Sequence, residues 1–295
     1  MHLQMAHEIN KVVCGDPTMS GAVITHGTDT LEETSFFIDA TVNCGKPVVV
    51  VGAMRPATAV SADGPFNLLE AVTVAASPLS RNRGALVVFN DRIVSAYYAT
   101  KINANTLDTF KAPEMGNLGE LISDIPYYFY PPVTPTGKTA FDVSNVEEIP
   151  RVDILFSYQD MSNDTLFSAI KHGAKGIVVS TYIFSNFNHL FTINTNSIVV
   201  HDYQYAGAGA GGVSSNVDSA INFVVNKHKI PVVNSFRSAN GEVPDSDIGN
   251  SSSQAIRIPS GYLNPQKSRI LLGLLLAEKK NLNEIRDVFL GSTDD

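Results

Sequence analysis

Val-Ile-Thr-His-Gly-Thr-Asp-Thr-Leu-Glu-Glu-Thr, residues 23–34, decides how the fold is read. Val23 and Ile24 close a short apolar strand, Gly27 interrupts it, and Leu31 opens a segment of helical spacing. A strand that turns into a helix places the turn at the carboxyl edge of a sheet, where open α/β sheets hold their ligands. Thr28 and Asp29 then present a hydroxyl and a carboxylate at one crevice. Thr30 and Glu33 have capping-box spacing, which predicts a fixed helix start just behind that crevice.

The same rhythm extends on both sides. Leu3, Ala6, Ile9 and Val13 recur at helical spacing over residues 1–13, and 31–43 reads as the helix after the turn. Pro-Val-Val-Val-Val at 47–51 is a fully buried strand, followed by a helix at 65–77 and a strand at 85–89. This alternation implies a parallel sheet with both faces covered. Residues 130–149 carry Pro131, Pro132 and Pro135 without apolar periodicity and read as a linker. A second strand–helix series starts at Val152-Asp-Ile-Leu-Phe. The fold class is α/β, two domains with mainly parallel sheets covered by helices: residues 1–129, a linker at 130–149, and residues 150–295.

Twenty-nine acidic against 21 basic residues in a chain of 295 give a net charge of −8. That balance argues against nucleic acid or an anionic membrane surface and favours a small molecule or another subunit. No apolar run approaches the ~20 residues of a membrane span, and none has signal-peptide flanks. The seven histidines are scattered without metal-ligand spacing. Gly-Ala-Gly-Ala-Gly-Gly at 207–212 satisfies G-x-G-x-x-G. The next strand, Pro231-Val-Val, ends in Asn234 and Ser235 rather than in the acid that a dinucleotide site requires, so nucleotide binding is not expected. Cys14 and Cys44 lie at element ends on one side of the first strand, a geometry open to bridging; two unpaired buried thiols are the alternative.

The 23–34 run resembles a signature of the secreted-type (type II) L-asparaginases, of the asparaginase/glutaminase family. Four further blocks follow in family order: Gly-Ala-Met-Arg-Pro at 52–56, Ser-Ala-Asp-Gly-Pro-Phe-Asn-Leu at 61–68, Thr109-Phe110-Lys111, and Leu-Asn-Pro-Gln-Lys at 263–267. The resemblance implies hydrolysis of L-asparagine, and less readily L-glutamine, to the acid and ammonia. The chemistry is acyl transfer to a threonine hydroxyl, with no cofactor. It implies catalytic roles for Thr28, Asp29 and Lys111, the lysine easing removal of a proton from the Thr28 hydroxyl. Substrate binding falls to Thr28, to Asp29, which is kept ionised at a helix start and can hold an α-ammonium, and to the backbone carbonyl of Ala53. The resemblance also implies a Cys14–Cys44 disulfide formed outside the cytosol, and a homotetramer built from intimate dimers. Closing a loop of about 30 residues would stabilise by roughly 3–4 kcal/mol.

Several positions carry weaker expectations. His26 reads as a structural hydrogen-bonding residue rather than a base, and Asp63 as a turn residue. The acid that completes a neighbouring subunit's site is left among Glu242, Asp245 and Asp247. Asn163-Asp-Thr and Asn250-Ser-Ser fit the glycosylation pattern.

Two departures from the family are expected to matter. The family's first catalytic segment, Thr-Gly-Gly-Thr-Ile on the opening strand, carries the nucleophile, and no such segment occurs among the 295 residues. The chain is therefore read as truncated, short of that strand, its lid and a carboxylate-gripping serine, and as folding poorly on its own. Residues 180–205, rich in Asn, Phe and Ile, interrupt a strand-to-glycine-turn passage and read as an insertion. Codons for 179–204 can take intron-like ends, and a surface loop is the simpler alternative. A catalytically dead subunit partner or a faulty gene model is the rival to an active asparaginase. An amidase of the same fold acting on larger amides is a third reading.

Overall fold

A computed structural model describes residues 2–158, 160–181, 193–194, 197–198, 213, 215–245 and 255–291. The expected insertion and the 207–212 glycine run lie largely or wholly outside the described residues, as do Asp247 and Asn250. Two compact units divide the chain: Met1–Pro150 with Arg269–Asp295, and Arg151–Ser268. Residues 269–295 thus group with the N-terminal unit, whereas the sequence reading assigned 150–295 to one C-terminal domain.

In the first unit, β1 (Ala22–Thr25), β2 (Val48–Val51) and β3 (Ala85–Phe89) pair in parallel, with Ile24 opposite Val50 and Val50 opposite Val87. Every residue of β2 and β3 is buried, as the unbroken apolar run at 48–51 requires of a central parallel strand. The sheet then changes sense. β4 (Arg92–Ser95), β7 (Gly119–Ile122) and β8 (Ile125–Tyr128) continue it antiparallel, in the order β1-β2-β3-β4-β7-β8. Two-residue turns make two of the reversals, β3 to β4 through Asn90-Asp91 at φ 52° and 62° and β7 to β8 through Ser123-Asp124 at φ 50° and 61°. Both have the doubly left-handed form that matches strand twist. Between β4 and β7, β5 (Thr100–Lys101) and β6 (Phe110–Lys111) form a separate antiparallel pair.

Three helices of this unit position the site. α1 (His2–Glu8) continues as a π-helical stretch, Ile9–Cys14, and the structure joins Cys14 to Cys44, their Cα atoms 5.5 Å apart. α2 (Leu31–Thr41) is buried on all sides. The His2 ring lies 5.4 Å from that of Phe37, and Asn10 donates to the Thr41 carbonyl. The expected linker at 130–149 packs against α2 as well. Phe141 and Val143 are buried, the Phe141 N–H donates to the Ala40 carbonyl, and Lys138 Nζ meets Asp39 Oδ1 at 2.7 Å. α3 (Gly64–Ala76) buries Asn67, Glu70, Ala71, Val74 and Ala75, one helical face, against β2 and β3.

The second unit carries an all-parallel sheet ordered β14 (Ile258–Pro259), β13 (Val232–Phe236), β10 (Gly176–Thr181), β9 (Val152–Phe156). β10 is central and wholly buried; Val178 faces Ile154 on one side and Val233 on the other. α4 (Asp164–Lys171) and α5 (Ser215–Phe223) provide its helices, and β11 (Ile193–Asn194) pairs with β12 (Ser197–Ile198). α6 (Pro265–Ala277) and α7 (Leu282–Phe289) close the chain, α7 with a capping box between Asn281 and Glu284. Among the described residues no helix is long and apolar enough to cross a membrane.

Candidate active site

Thr28 and Asp29 occupy the turn between β1 and α2, at the carboxyl edge of the parallel half of the sheet. Asp29 lies open to solvent, 94% exposed, while Thr28 is half-buried. Lys101, at the end of β5, reaches into the turn. Its Nζ donates to Thr28 Oγ1 at 2.9 Å and to Asp29 Oδ1 at 2.8 Å. That hydrogen bond and the positive charge of Lys101 hold the Asp29 carboxyl below its usual range, so it is ionised near neutral pH. A hydroxyl, a carboxylate and an ammonium thus meet at one point, with Lys101 reaching both partners.

Lys111, which the sequence reading placed here, is elsewhere: its Nζ pairs with Asp108 Oδ2 at 2.6 Å, both side chains roughly half exposed. The β5–β6 register explains the difference. Lys101 stands opposite Phe110 and Thr100 opposite Lys111, so the two lysines project from opposite faces of the ribbon. Glu32, buried in the first turn of α2, accepts the Lys101 backbone N–H at 2.8 Å and fixes this end of the ribbon.

The capping box expected between Thr30 and Glu33 does not form. Thr30 makes no side-chain cap, and Glu33 Oε2 instead accepts from Arg269 at 2.8 Å. The turn is held from the strand side. The His26 N–H donates to the Val51 carbonyl, and a Cβ on Gly52 would fall 2.6 Å from the His26 carbonyl oxygen, so only glycine allows this approach of the two loops.

Ala53 is exposed in the adjoining loop after β2. Asp63 organises that loop: its carboxylate accepts from the N–H groups of Met54 and Arg55, each at 2.9 Å, and from the Asn67 amide at 3.1 Å. Asn67 also donates to the Gly52 carbonyl at 3.0 Å. Burial pushes the Asp63 carboxyl up, but these donors outweigh it and hold the carboxyl below its usual range. Asp63, read from sequence only as a turn residue, is the support of the Ala53 loop. The available signal was Asp-Gly-Pro ahead of a helix, which marks a helix start.

The chain matches two family models in sequence order: Asparaginase, N-terminal, over residues 1–134, and Glutaminase/Asparaginase C-terminal domain over 187–289. It is 44% identical over 293 residues to L-asparaginase 2-3 of Saccharomyces cerevisiae, covering 98% of this chain and 72% of that protein. This chain belongs to the asparaginase/glutaminase family. L-asparaginase 2 of Bacillus subtilis is 42% identical over 97% of this chain and 68% of its own length. A solved structure, a probable cytoplasmic L-asparaginase from Campylobacter jejuni, superposes with TM-score 0.81 at 36% identity, covering 98% of this chain and 82% of that one.

The acids considered for a neighbouring subunit's site fall in the second unit of this asparaginase-family chain. Glu242 and Asp245 are exposed residues of the second unit, flanking Val243, which bridges to Gly261. Among the described residues no group of three or more His, Cys, Asp or Glu side chains is placed to hold a metal ion.

Proposed function

We propose that this protein is an L-asparaginase, hydrolysing L-asparagine to L-aspartate and ammonia, and that Thr28, Asp29 and Lys101 form its proton-transfer and substrate-anchoring group. The carrying observation is the contact of one lysine with both side chains of the Thr28-Asp29 turn. In the ligand-free state the Lys101 ammonium donates to the Thr28 hydroxyl. A substrate α-ammonium taken up by Asp29 puts two cations beside one carboxylate, and release of one Lys101 proton to solvent water relieves their repulsion. The resulting amine can accept the Thr28 proton. In the acyl-transfer step a threonine oxygen bonds to the side-chain amide carbon, the C–N bond breaks, and the proton given up by the threonine hydroxyl passes to the departing nitrogen to complete ammonia. Water then cleaves the β-aspartyl ester and restores the hydroxyl. The Ala53 carbonyl, held by the Asp63-anchored loop, faces the departing amide nitrogen.

The nucleophile of the first half-reaction belongs to a Thr-Gly-Gly-Thr-Ile strand, absent from these 295 residues. β1 supports a place for it. Among the described residues β1 is an edge strand whose one partner is β2, and Ala22, Val23 and Ile24 are only partly buried although apolar. A strand added there would bring its threonine to the edge that holds Thr28. The same open edge supports the second reading, a subunit inactive as written that joins complete copies. α3 supports assembly in either case, since Phe66, Leu69 and Val72 form an exposed apolar stripe at helical spacing, 47–51% exposed. The Cys14–Cys44 bridge supports the secreted-type reading.

The test is ammonia release from L-asparagine and L-glutamine by the 295-residue chain and by the chain extended with a Thr-Gly-Gly-Thr-Ile strand. Activity in the extended chain, asparagine preferred, supports the proposal. Silence in both, with folded protein, would reject it. Activity in the unextended chain would make Thr28 itself the nucleophile.

A further inference from the structure

Four groups at the Thr28 turn form a hydrogen-bond chain whose direction the chemistry fixes. His26 Nδ1 lies 2.7 Å from the Gly27 carbonyl oxygen. A carbonyl only accepts, so Nδ1 carries the proton, and in the neutral ring Nε2 is then an acceptor. Nε2 lies 2.9 Å from Thr34 Oγ1, so the Thr34 hydroxyl donates to it. Having spent its proton there, Thr34 accepts from His2 Nε2 at 3.1 Å. The order is His2 to Thr34 to His26 to the Gly27 carbonyl. Burial first, and the Arg269 charge next, hold His2 below the usual histidine range, consistent with a neutral ring at the head of the chain.

The chain ends on the peptide that immediately precedes Thr28. The His26 backbone is pinned on its other side by its N–H bond to Val51 and by the close approach of Gly52 to its carbonyl. Thr34, on the first turns of α2, is wholly buried and cannot shift to follow the loop. The Gly27 carbonyl is therefore held by a ring whose tautomer is set from within the core. Because α2 makes no side-chain cap at Thr30, this ring fixes the turn where the missing capping box would have done so.

We propose that His26 is a positioning residue for the asparaginase reaction, acting as the Nδ1–H tautomer that clamps the Gly27 carbonyl and so fixes Thr28 and Asp29 against Lys101. The inference rests on the asparaginase reading of that turn.

The two amide side chains separate the clamp from simple filling of space. Asn places its NH2 where Nδ1–H stands and keeps the bond to Gly27. Gln places its polar end near Nε2 and loses that bond. The experiment compares His26→Asn, His26→Gln and the parent in the full chain and, for the kinetics, in the strand-extended chain, at matched melting temperature. It records 15N histidine tautomers, the amide shifts of Thr28 and Asp29, and kcat and KM for ammonia release. His26 is expected as Nδ1–H, the Asn variant within about threefold of the parent, and the Gln variant down about five- to tenfold in kcat/KM, the value of one neutral hydrogen bond. The Thr28 and Asp29 shifts should move only in the Gln variant. An Nε2–H tautomer, or equal damage by Asn and Gln, would overturn the proposal. If the strand-extended parent releases no ammonia, the asparaginase reading fails by itself, and tautomer and amide shifts still decide the clamp.

Discussion

Two lysine–aspartate pairs flank α2, with the same chemistry and opposite surroundings. Lys138 and Asp39 meet at 2.7 Å near the C-terminal end of the helix, 10% and 2% exposed. Lys101 and Asp29 meet at 2.8 Å ahead of its N-terminal end, 16% and 94% exposed. Asp39 Oδ1 also accepts the Ala85 N–H, so the buried pair ties the 138–143 strap and the start of β3 to one carboxylate. No ligand can displace Lys138 from Asp39. Asp29 is open to any solute cation, and its partner is also on a hydroxyl. Burial makes one pair a structural latch, and exposure leaves the other exchangeable.

The largest effect should come from breaking the latch. Lys138→Ala leaves the Asp39 charge buried, beside an Oδ2 that already has no hydrogen-bond partner, and should destabilise by about 3–5 kcal/mol. Chemical denaturation checks this; a loss below about 1 kcal/mol would erase the contrast between the two pairs. Cys14→Ser with Cys44→Ser should lower stability by roughly 3 kcal/mol, read as a drop in Tm that reducing agent reproduces in the parent. Asp63→Ala should cost about 2 kcal/mol by orphaning the Met54 and Arg55 N–H groups, and should raise KM as the Ala53 loop loosens.

Glu70 sharpens the comparison as a buried carboxyl that pairs with no cation among the described residues. Burial, then its interaction with Asp91, raises it from 4.5 to about 7. The folded state therefore holds a proton that the unfolded chain has released, so stability is fully present below about pH 4.5 and falls as pH rises toward 7. Over that interval the loss should be on the order of 1 kcal/mol or more, and Glu70→Gln should flatten the slope in urea titrations. The smallest stability effect belongs to the exposed pair: Lys101→Ala should change unfolding free energy by no more than about 0.5 kcal/mol.

How much of this the sequence showed depended on how local the signal was. β1, β2, β3, α2 and α3 were legible because apolar periodicity and the breaks at Gly27 and Gly52 are contiguous features. The antiparallel half of the large sheet was not read. Its turns use Asn90-Asp91 and Ser123-Asp124, without the glycine that usually marks such hairpins. The place of Thr28 and Asp29 at the strand-to-helix turn was legible for the same local reason. The contact of Lys101 with that turn was not read, because its place depends on a two-residue ribbon whose register a short motif does not display. Thr109-Phe110-Lys111 matched the family in sequence, yet pairing Phe110 with Lys101 turns Lys111 to the other face. The linker reading at 130–149 rested on proline content and could not show Phe141, Val143 and Lys138 docking on α2.

The most direct measurement is kcat/KM for ammonia release from L-asparagine by the strand-extended chain, by its Lys101→Ala variant and by its Lys111→Ala variant. With Lys101 as the lysine of the Thr28–Asp29 site, the first substitution should lower it by at least about 10²-fold with the fold intact, and the second should leave it within about threefold. Loss of activity on removing Lys111, with Lys101→Ala unaffected, would contradict that assignment.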